Sequence, residues 1–260
     1  MKYAILGSGS NANAYLFSNG KFSFVVDNGF SCKECLRRID ELGFDPSQIR
    51  YIFLTHTHGD HLRGIKVLSK KLKVPVVAHS LCRLNSIVKG GVYKIIPAEP
   101  EKEIKFESFT VHPFSTSHDS RHSLGFSFSL EGITATILSD TGRVTETMYG
   151  HVRKTDLLFL EANYNETMLQ EGPYPQEIKE RIASELGHLS NRDAISLLNR
   201  LHTDPVSRVR RTYFCHMSEN NNSPEKLKEE IKKYLLWDKD YVISPRGSMR
   251  KGEIFNGTNT

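Results

Sequence analysis

Short apolar runs bounded by turn residues alternate along the chain with segments in which apolar residues recur every three or four positions. The first pattern is typical of buried strands, and the second is typical of amphipathic helices. Strands are predicted at residues 3–6, 14–17, 22–26, 51–54, 75–78, 109–114, 124–130, 133–138, 157–160 and 212–215. Helices are predicted at residues 32–42, 64–71, 175–185, 192–201 and 224–235.

Residues between these segments indicate how the elements begin and end. Asn19-Gly20 is a strong signal for a hairpin between the second and third strands. Asn191 is a suitable N-cap for the fourth helix, as is Ser223, followed by Pro224, for the last. The polar residues 252–260 are expected to form a mobile tail.

This mixture of strands and helices predicts an α/β fold of two sheets with helices packed outside them. A chain of 260 residues can build a large core, and one domain is expected over residues 1–260. The net charge of +5 is modest, so a nucleic-acid-binding surface has to come from local clusters of basic residues. No apolar run approaches a membrane span, and the four cysteines are too few for a disulfide scaffold, which favours a reducing cytoplasm.

Residues 55–61, Thr-His-Thr-His-Gly-Asp-His, hold the highest density of potential metal ligands and directly follow the apolar strand 51–54. Alternate side chains of an extended segment share a face, so His56 and His58 can bind one metal ion. Asp60 and His61 follow the bend and turn toward a neighbouring position. Two adjacent metal ions are therefore predicted.

This His-x-His-x-Asp-His pattern resembles the metallo-β-lactamase fold superfamily, whose members carry further ligands at the ends of later strands. Candidates occur in the same order here: Asp27 after strand 22–26, His118 after strand 109–114, Asp140 after strand 133–138 and His216 after strand 212–215. The ordered series is far more specific than one motif. The resemblance implies a four-layer αββα sandwich.

Three further segments are similar to the phosphodiesterase branch of that superfamily, in particular the tRNase Z enzymes and the YycJ/WalJ-type exonucleases. They are residues 157–163, 187–191 and 216–221. The resemblance assigns Glu161 and His188 to a catalytic pair that delivers a proton to the leaving group. Neither a Gly/Pro-rich tRNA-binding arm nor room for the inserted domain of the β-CASP nucleases is present between the motifs.

The resemblance also implies a ligand set for two divalent ions. His56, His58 and His118 are assigned to one ion, and Asp60, His61 and His216 to the other. Asp140 is assigned to bridge the two ions, and Asp27 is expected to orient the ligands without binding an ion itself. Asp60 is in addition assigned a catalytic role. Imidazole and carboxylate ligands suit zinc, manganese or iron, and two Zn²⁺ or two Mn²⁺ ions are preferred. Such a site can supply hydroxide near neutral pH and clamp phosphodiester oxygens.

The predicted function is a metal-dependent nuclease, with DNA favoured over RNA as the substrate and exonuclease activity implied by the YycJ likeness. A glyoxalase-II-like thioesterase or a lactonase is the alternative within the same fold. A non-catalytic module that binds metal or nucleic acid is the alternative from another class. Glu161 and His188 argue against the first, because thioester hydrolysis needs no such acid, and the complete ligand series argues against the second.

The glycine-rich segment 7–12 follows a strand and fits Gly-x-Gly-x-x-Ala, the pattern of a dinucleotide site. That pattern must open a helix, whereas residues 14–17 read as a strand, so this interpretation is rejected. Ser10 and Asn11 remain candidates for a phosphate contact. Cys32 and Cys35 could form a redox or zinc pair, but a structural role in the helix 32–42 is favoured.

For the basic clusters and the other histidines, the sequence gives only weak indications of a functional role. The clusters comprise Arg208, Arg210 and Arg211; Lys70, Lys71 and Lys73; and Arg246, Arg250 and Lys251. Each is more often a solvated face than a binding surface. His112 and His122 are candidates for lining the cleft, although structural roles are favoured, and His79, His151 and His202 are expected to be ordinary surface or packing residues.

Overall fold

The computed structural model describes residues 1–84 and 91–256, whose strands form two seven-stranded sheets. The first sheet has the order β14-β1-β2-β3-β4-β5-β6. Its strands are β1 (Lys2–Gly7), β2 (Ala14–Ser18), β3 (Ser23–Val26), β4 (Ile49–Phe53), β5 (Val76–His79), β6 (Ile95–Ala98) and β14 (Arg250–Glu253). The second sheet has the order β13-β12-β11-β10-β9-β8-β7. Its strands are β7 (Ile104–Lys105), β8 (Phe109–Ser115), β9 (Leu124–Leu130), β10 (Ile133–Leu138), β11 (Leu157–Glu161), β12 (Arg211–Cys215) and β13 (Asp240–Ile243).

Helices cover the outer faces of both sheets. They are α1 (Cys32–Glu41), α2 (Gly59–Leu62), α3 (Ile65–Leu72), α4 (Glu146–Val152), α5 (Glu166–Glu171), α6 (Gln176–Ala183), α7 (Asn191–Thr203) and α8 (Pro224–Tyr234). Short 3-10 turns occupy Pro46–Gln48 and Ser80–Leu84. Within the described ranges, none of the helices has the length and apolar character needed to span a bilayer.

Three apolar layers hold the molecule together. The central layer lies between the sheets and is rich in aromatic rings, such as Phe24 and Phe128, whose centroids are 4.7 Å apart. One outer layer packs α1 and α3 against the first sheet, and the other packs α4, α7 and α8 against the second. The result is the four-layer αββα sandwich predicted from the sequence, because each sheet buries apolar side chains on both faces.

The direction of the strands decides where the site forms. β3, β4 and β5 run parallel to one another, as do β10, β11 and β12, so their carboxyl ends gather at one rim of the sandwich. β1 and β2 are antiparallel, which confirms that residues 14–17 form a strand and not the helix that a dinucleotide site requires. β2 and β3 are also antiparallel and pair Ser18 with Ser23, as the Asn19-Gly20 turn predicts.

Several elements escape the sequence prediction. The missed strands are β6, β7, β13 and β14, and the missed helices are α2, α4 and α5. These four strands are the edge strands of the two sheets, and β14 has the sequence Arg-Lys-Gly-Glu, which carries no apolar alternation. Pairing with β1, rather than burial of its own side chains, holds β14 in place.

Two predictions at element ends are wrong. The N-cap of α7 is Ser190, not Asn191, because the Ser190 side chain accepts a hydrogen bond from the Asp193 amide. The expected mobile tail is structured at its start, since Gly252 pairs with Tyr3 in the sheet and Ile254 is buried. Its last residues, 257–260, lie outside the described residues. The Ser223 cap of α8 is confirmed.

Candidate metal centre

Strand ends and the loops that follow them bring the predicted metal ligands, Glu161 and His188 to the same rim. Asp27 follows β3, residues 56–61 follow β4, and His118 follows β8. Asp140 follows β10, Glu161 ends β11 and His216 follows β12. His188 reaches the rim from the segment between α6 and α7. Residues far apart in the sequence therefore converge at one place.

Three of these residues turn the chain with an unusual backbone conformation. Asp27, Asp140 and His216 have φ angles of 58°, 56° and 55°, in the left-handed region that residues other than glycine rarely adopt. Each such residue costs on the order of 1–3 kcal/mol and concentrates at functional sites. The left-handed turn bends the chain sharply at the strand end.

His56, His58 and His118 form the first ligand group. One ring nitrogen from each lies within 4.8 Å of the others. His58 Nδ1 faces His118 Nε2 at 3.2 Å. His56 Nε2 is buried without a hydrogen-bond partner in the described part of the chain. Three converging imidazole nitrogens of this kind match the donor set of a divalent cation.

Asp60, His61 and His216 form the second group, with ligand atoms again within 4.8 Å of one another. Asp140 lies between the two groups. Its Oδ2 is 3.3 Å from His61 Nε2, and its Oδ1 is 3.6 Å from His216 Nε2 and 3.7 Å from His118 Nε2. Asp140 is therefore positioned to contact both groups at once.

Residues behind the ligand groups fix the orientation of the imidazoles. His61 Nδ1 lies 2.7 Å from Asp27 Oδ2, and the Thr55 amide and hydroxyl also donate to the Asp27 carboxylate. His118 Nδ1 is 3.0 Å from the Gly187 carbonyl oxygen. With one ring nitrogen held in this way, the other faces the centre, which is the arrangement that metal-binding histidines show.

Glu161 is a fully buried carboxylate shared by two imidazoles. Its Oε1 lies 2.7 Å from His188 Nδ1 and 2.9 Å from His216 Nδ1, while Oε2 accepts a hydrogen bond from the Thr141 amide at 3.0 Å. His188 retains about a fifth of its side-chain exposure, 21%. Glu161 therefore links a residue of the second ligand group to an imidazole that still reaches solvent.

The buried charges of the site strongly perturb one another. Burial lowers the pKa of His216, but Asp140, Asp60 and Glu161 raise it to about 10. Burial likewise opposes the charge of His188, yet Glu161 raises its pKa above the usual range. Burial and the neighbouring His61 hold the pKa of His56 well below its usual value.

Two buried histidine nitrogens without hydrogen-bond partners indicate that these residues fit metal ions. His56 Nε2 and His216 Nε2 are both buried and have no hydrogen-bond partner among the described residues, although a buried polar atom without a partner is costly. Both nitrogens belong to the two ligand groups. The donor set of imidazole and carboxylate, without thiolate, fits divalent Zn, Mn or Fe.

Three polar residues in the site were not predicted. Asn13 Nδ2 donates to Asp60 Oδ2 at 3.1 Å and lies 3.0 Å from His61 Nε2. Asn163 Nδ2 donates to the His216 carbonyl oxygen at 2.9 Å. Asp119 Oδ1 lies 3.6 Å from His58 Nε2 and from His118 Nε2, and its carboxylate pairs with Arg181. Asn13 directly follows the glycine-rich segment 7–12, and Asp119 directly follows His118, so adjacency was the only available signal.

The remaining candidates lie outside the ligand groups. His112 pairs with Glu103 at 3.0 Å, and His122 stacks on His79 with ring centroids 4.5 Å apart. Arg208 and Arg210 lie near Asp156, at the opposite end of the second sheet from the site. The four cysteines are free and buried, including Cys32 and Cys35.

The fold and the site together define a metal-dependent hydrolase with an αββα sandwich. The chain belongs to the family described as the beta-lactamase superfamily domain, whose model matches residues 24–217. This stretch contains every residue of the two ligand groups. The superfamily predicted from the sequence is thereby confirmed.

Two relatives and one solved structure are similar over most of their length. Exodeoxyribonuclease WalJ of Streptococcus pneumoniae is 33% identical over 230 residues, which cover 86% of this chain and 84% of the relative. Exodeoxyribonuclease YycJ of Bacillus anthracis is 27% identical over 244 residues, 90% of this chain and 89% of the relative. The short form of human tRNase Z superimposes with a TM-score of 0.67 at 17% identity, covering 96% of this chain and 98% of that one. This last likeness shows the fold.

Proposed function

We propose that this chain is a metal-dependent nuclease that hydrolyses phosphodiester bonds of DNA from an end. The observation that carries the proposal is the Glu161–His188 pair, which lies at the edge of the ligand groups and has one ring nitrogen of His188 left for substrate. The names of the two exodeoxyribonuclease relatives support the same activity and favour DNA over RNA.

The ligand groups would hold two divalent cations, Zn²⁺ or Mn²⁺, with Asp140 contacting both. When bound, such ions activate water and neutralise the charge of the phosphodiester oxygens. His56, His58 and His118 would hold one, and Asp60, His61 and His216 the other, with Asp27 fixing the His61 ring from behind. Asp60 Oδ2, which already accepts a hydrogen bond from Asn13, is a partly exposed carboxylate oxygen that can orient the attacking water.

His188 would act as the general acid. Glu161 accepts from His188 Nδ1, so the proton available to substrate is on Nε2. Burial opposes the charge of His188, but the Glu161 carboxylate raises its pKa above the usual value, because an ion pair favours the protonated form. A sugar oxygen leaves poorly unless it is protonated, and a positioned acid accelerates such a step by about 10²- to 10⁴-fold. Ser10 and Asn11, on the loop after β1, are candidates to contact a substrate phosphate.

Two substrates that differ in their leaving group can distinguish an acid role of His188 from a purely structural role. In His188→Ala we expect cleavage of DNA to slow by about 10²- to 10⁴-fold. Cleavage of bis(p-nitrophenyl) phosphate should slow far less, since a phenolate departs without a proton. The matched control is His112→Ala, which removes an imidazole paired with Glu103 away from the ligand groups. Equal losses on both substrates would refute the acid role, and lost metal would place His188 among the ligands.

The choice of phosphodiester over other esters is tested on the same purified protein. Hydrolysis of a phosphodiester should be metal-dependent, and hydrolysis of a thioester, a lactone or a β-lactam should be slow. A thioesterase or lactonase of this fold is the alternative, and it has no need of the Glu161–His188 pair. Efficient thioester or lactone hydrolysis with no cleavage of DNA or RNA would establish that alternative.

A further inference from the structure

A cavity of about 310 Å³ opens beside the metal centre. Its lining includes Ser8 and Asn11 of the loop after β1, Phe30 of the loop before α1, Arg38 of α1, and Arg246 of the loop between β13 and β14. Its volume lies at the small end of the range for ligand sites in proteins. None of the described residues that line it is acidic, and two are arginines.

A single loop separates this cavity from the second ligand group. Ser8 lines the cavity, and its hydroxyl accepts a hydrogen bond from the His216 amide at 2.7 Å. Asn13, at the end of the same loop, donates to Asp60. The cavity is therefore a neighbour of the second ligand group, with only the loop of residues 8–13 between them.

The two arginines differ in how firmly they are held. Arg38 donates from Nε to Glu34 and from Nη1 to the carbonyl oxygens of Leu6 and Gly247, at 2.7 and 3.2 Å, and its guanidinium lies 4.3 Å from the centre of the Phe30 ring. These contacts hold the Arg38 side chain in one position in the lining of the cavity. Its Nη2 has no protein partner in the ranges that the structure describes.

Arg246 is the more adaptable of the two. Its Nη1 pairs with Glu219, a side chain with 62% exposure that does not line the cavity. Its side chain packs against Gly9, where an added Cβ would come within 2.8 Å of Arg246 Cγ and where φ is +126°. A glycine at position 9 therefore allows Arg246 to lie close to the loop. An exposed ion pair of this kind contributes little, so a stronger anion can displace Glu219.

We propose that this cavity binds the terminal phosphate monoester of the substrate strand. The inference rests on the proposed function and specifies which end of a nucleic acid the site prefers. A monoester carries about −1.5 to −2 charges and three acceptor oxygens, whereas an internal diester carries one charge. Two guanidinium groups in a lining that contains no carboxylate match the monoester, and a guanidinium group can bind two phosphate oxygens at once. Asn11, also in the lining, adds a side-chain amide.

The test measures binding without cleavage, by fluorescence anisotropy of short single-stranded DNA in the presence of a chelator. Three versions of one sequence carry a 5′-phosphate, a 3′-phosphate or hydroxyl groups at both ends. The wild-type protein should bind one phosphorylated end about 10- to 100-fold more tightly than the hydroxyl version, as charge-assisted contacts of this strength imply. The phosphate that gives the gain identifies the end that enters the cavity.

Two substitutions at the ion pair distinguish recognition from support of the loops. Arg246→Ala should abolish the preference for the phosphorylated end, whereas Glu219→Gln should increase it, because the arginine is released. If the pair only holds the loops together, both substitutions should weaken binding alike. Arg50→Ala is the control for net charge, since Arg50 lies on β4 at the end remote from the site.

The results that would refute the phosphate-binding cavity differ from those that would refute the proposed nuclease function. Equal binding of phosphorylated and hydroxyl ends by the wild type, or effects of Arg246→Ala and Glu219→Gln in the same direction, would overturn the assignment of the cavity even if DNA is cleaved. A retained preference for the phosphorylated end in a protein that cleaves no nucleic acid with added metal would support the cavity and refute the proposed nuclease.

Discussion

At the scale of single residues, the motifs predict which side chains meet, but not how the backbone presents them. His56, His58 and Asp60 stand in one short motif, so their proximity could be read from the sequence. The left-handed conformation of Asp140 could not, because aspartate adopts a positive φ more often than most residues but still only in a small minority of cases. Asn13 was missed for a related reason, since its contact with Asp60 joins residues 47 positions apart.

Asp140→Asn is the substitution that isolates the charge between the two ligand groups. Asparagine tolerates the left-handed backbone at φ 56°, so the fold should persist. We expect the loss of a carboxylate placed between both groups to lower activity by at least about 100-fold and to reduce bound metal. Activity and metal content by mass spectrometry would check this.

The matched control is Asp119→Asn, which removes a carboxylate 3.6 Å from His58 that is already paired with Arg181. It should retain most of the metal. Normal activity with full metal occupancy in Asp140→Asn would show that the assignment of Asp140 is wrong.

The four thiols should be unreactive in the folded protein. Burial raises the pKa of Cys35 and Cys215 to about 12 and that of Cys82 to about 11, and it also raises that of Cys32. Because the thiolate is the reactive form, little of it exists at pH 8. A disulfide reagent should titrate no thiol within minutes in the native protein and all four after unfolding. Rapid modification of Cys32 and Cys35 together would instead support a redox pair.

At the scale of elements, the central strands were predictable and the edge strands were not. β9 and β10 have apolar runs that the sequence identifies with matching ends, at residues 124–130 and 133–138. β14 is polar throughout and gains its structure only from pairing with β1, a contact between the two ends of the sequence. The short helix α2 was missed, because its four residues, Gly59–Leu62, are too few to show a helical repeat of apolar residues.

The backbone amides of helix α6 should be the least protected from hydrogen exchange among those of the longer helices. None of its eight residues is buried, whereas six residues of α7 are, including Leu198 and Leu201. Helices with few buried contacts open locally at low free-energy cost. Hydrogen exchange of the amides in α6 should therefore be at least about tenfold faster than in α7, which serves as the internal control. Equal protection would show that α6 is held by contacts the structure does not contain.

At the scale of the whole molecule, two sheets bring their parallel strand ends to one rim, and the central apolar layer packs the two sheets against each other. The αββα sandwich followed from the resemblance, and the family match confirms it. What the sequence could not supply is the close packing of the two ligand groups around Asp140, since that depends on how the two sheets face each other. The cavity beside Arg246 also depends on loops from three separate parts of the chain.

The most direct test of the account is cleavage of end-labelled single-stranded DNA, duplex DNA and RNA of one sequence by the purified protein. We expect DNA to be shortened progressively from one end, with activity abolished by a chelator and restored by Zn²⁺ or Mn²⁺. Asp140→Asn, prepared in parallel, should remain folded and inactive. A protein that carries metal in both ligand groups yet leaves all three polymers intact would contradict the account.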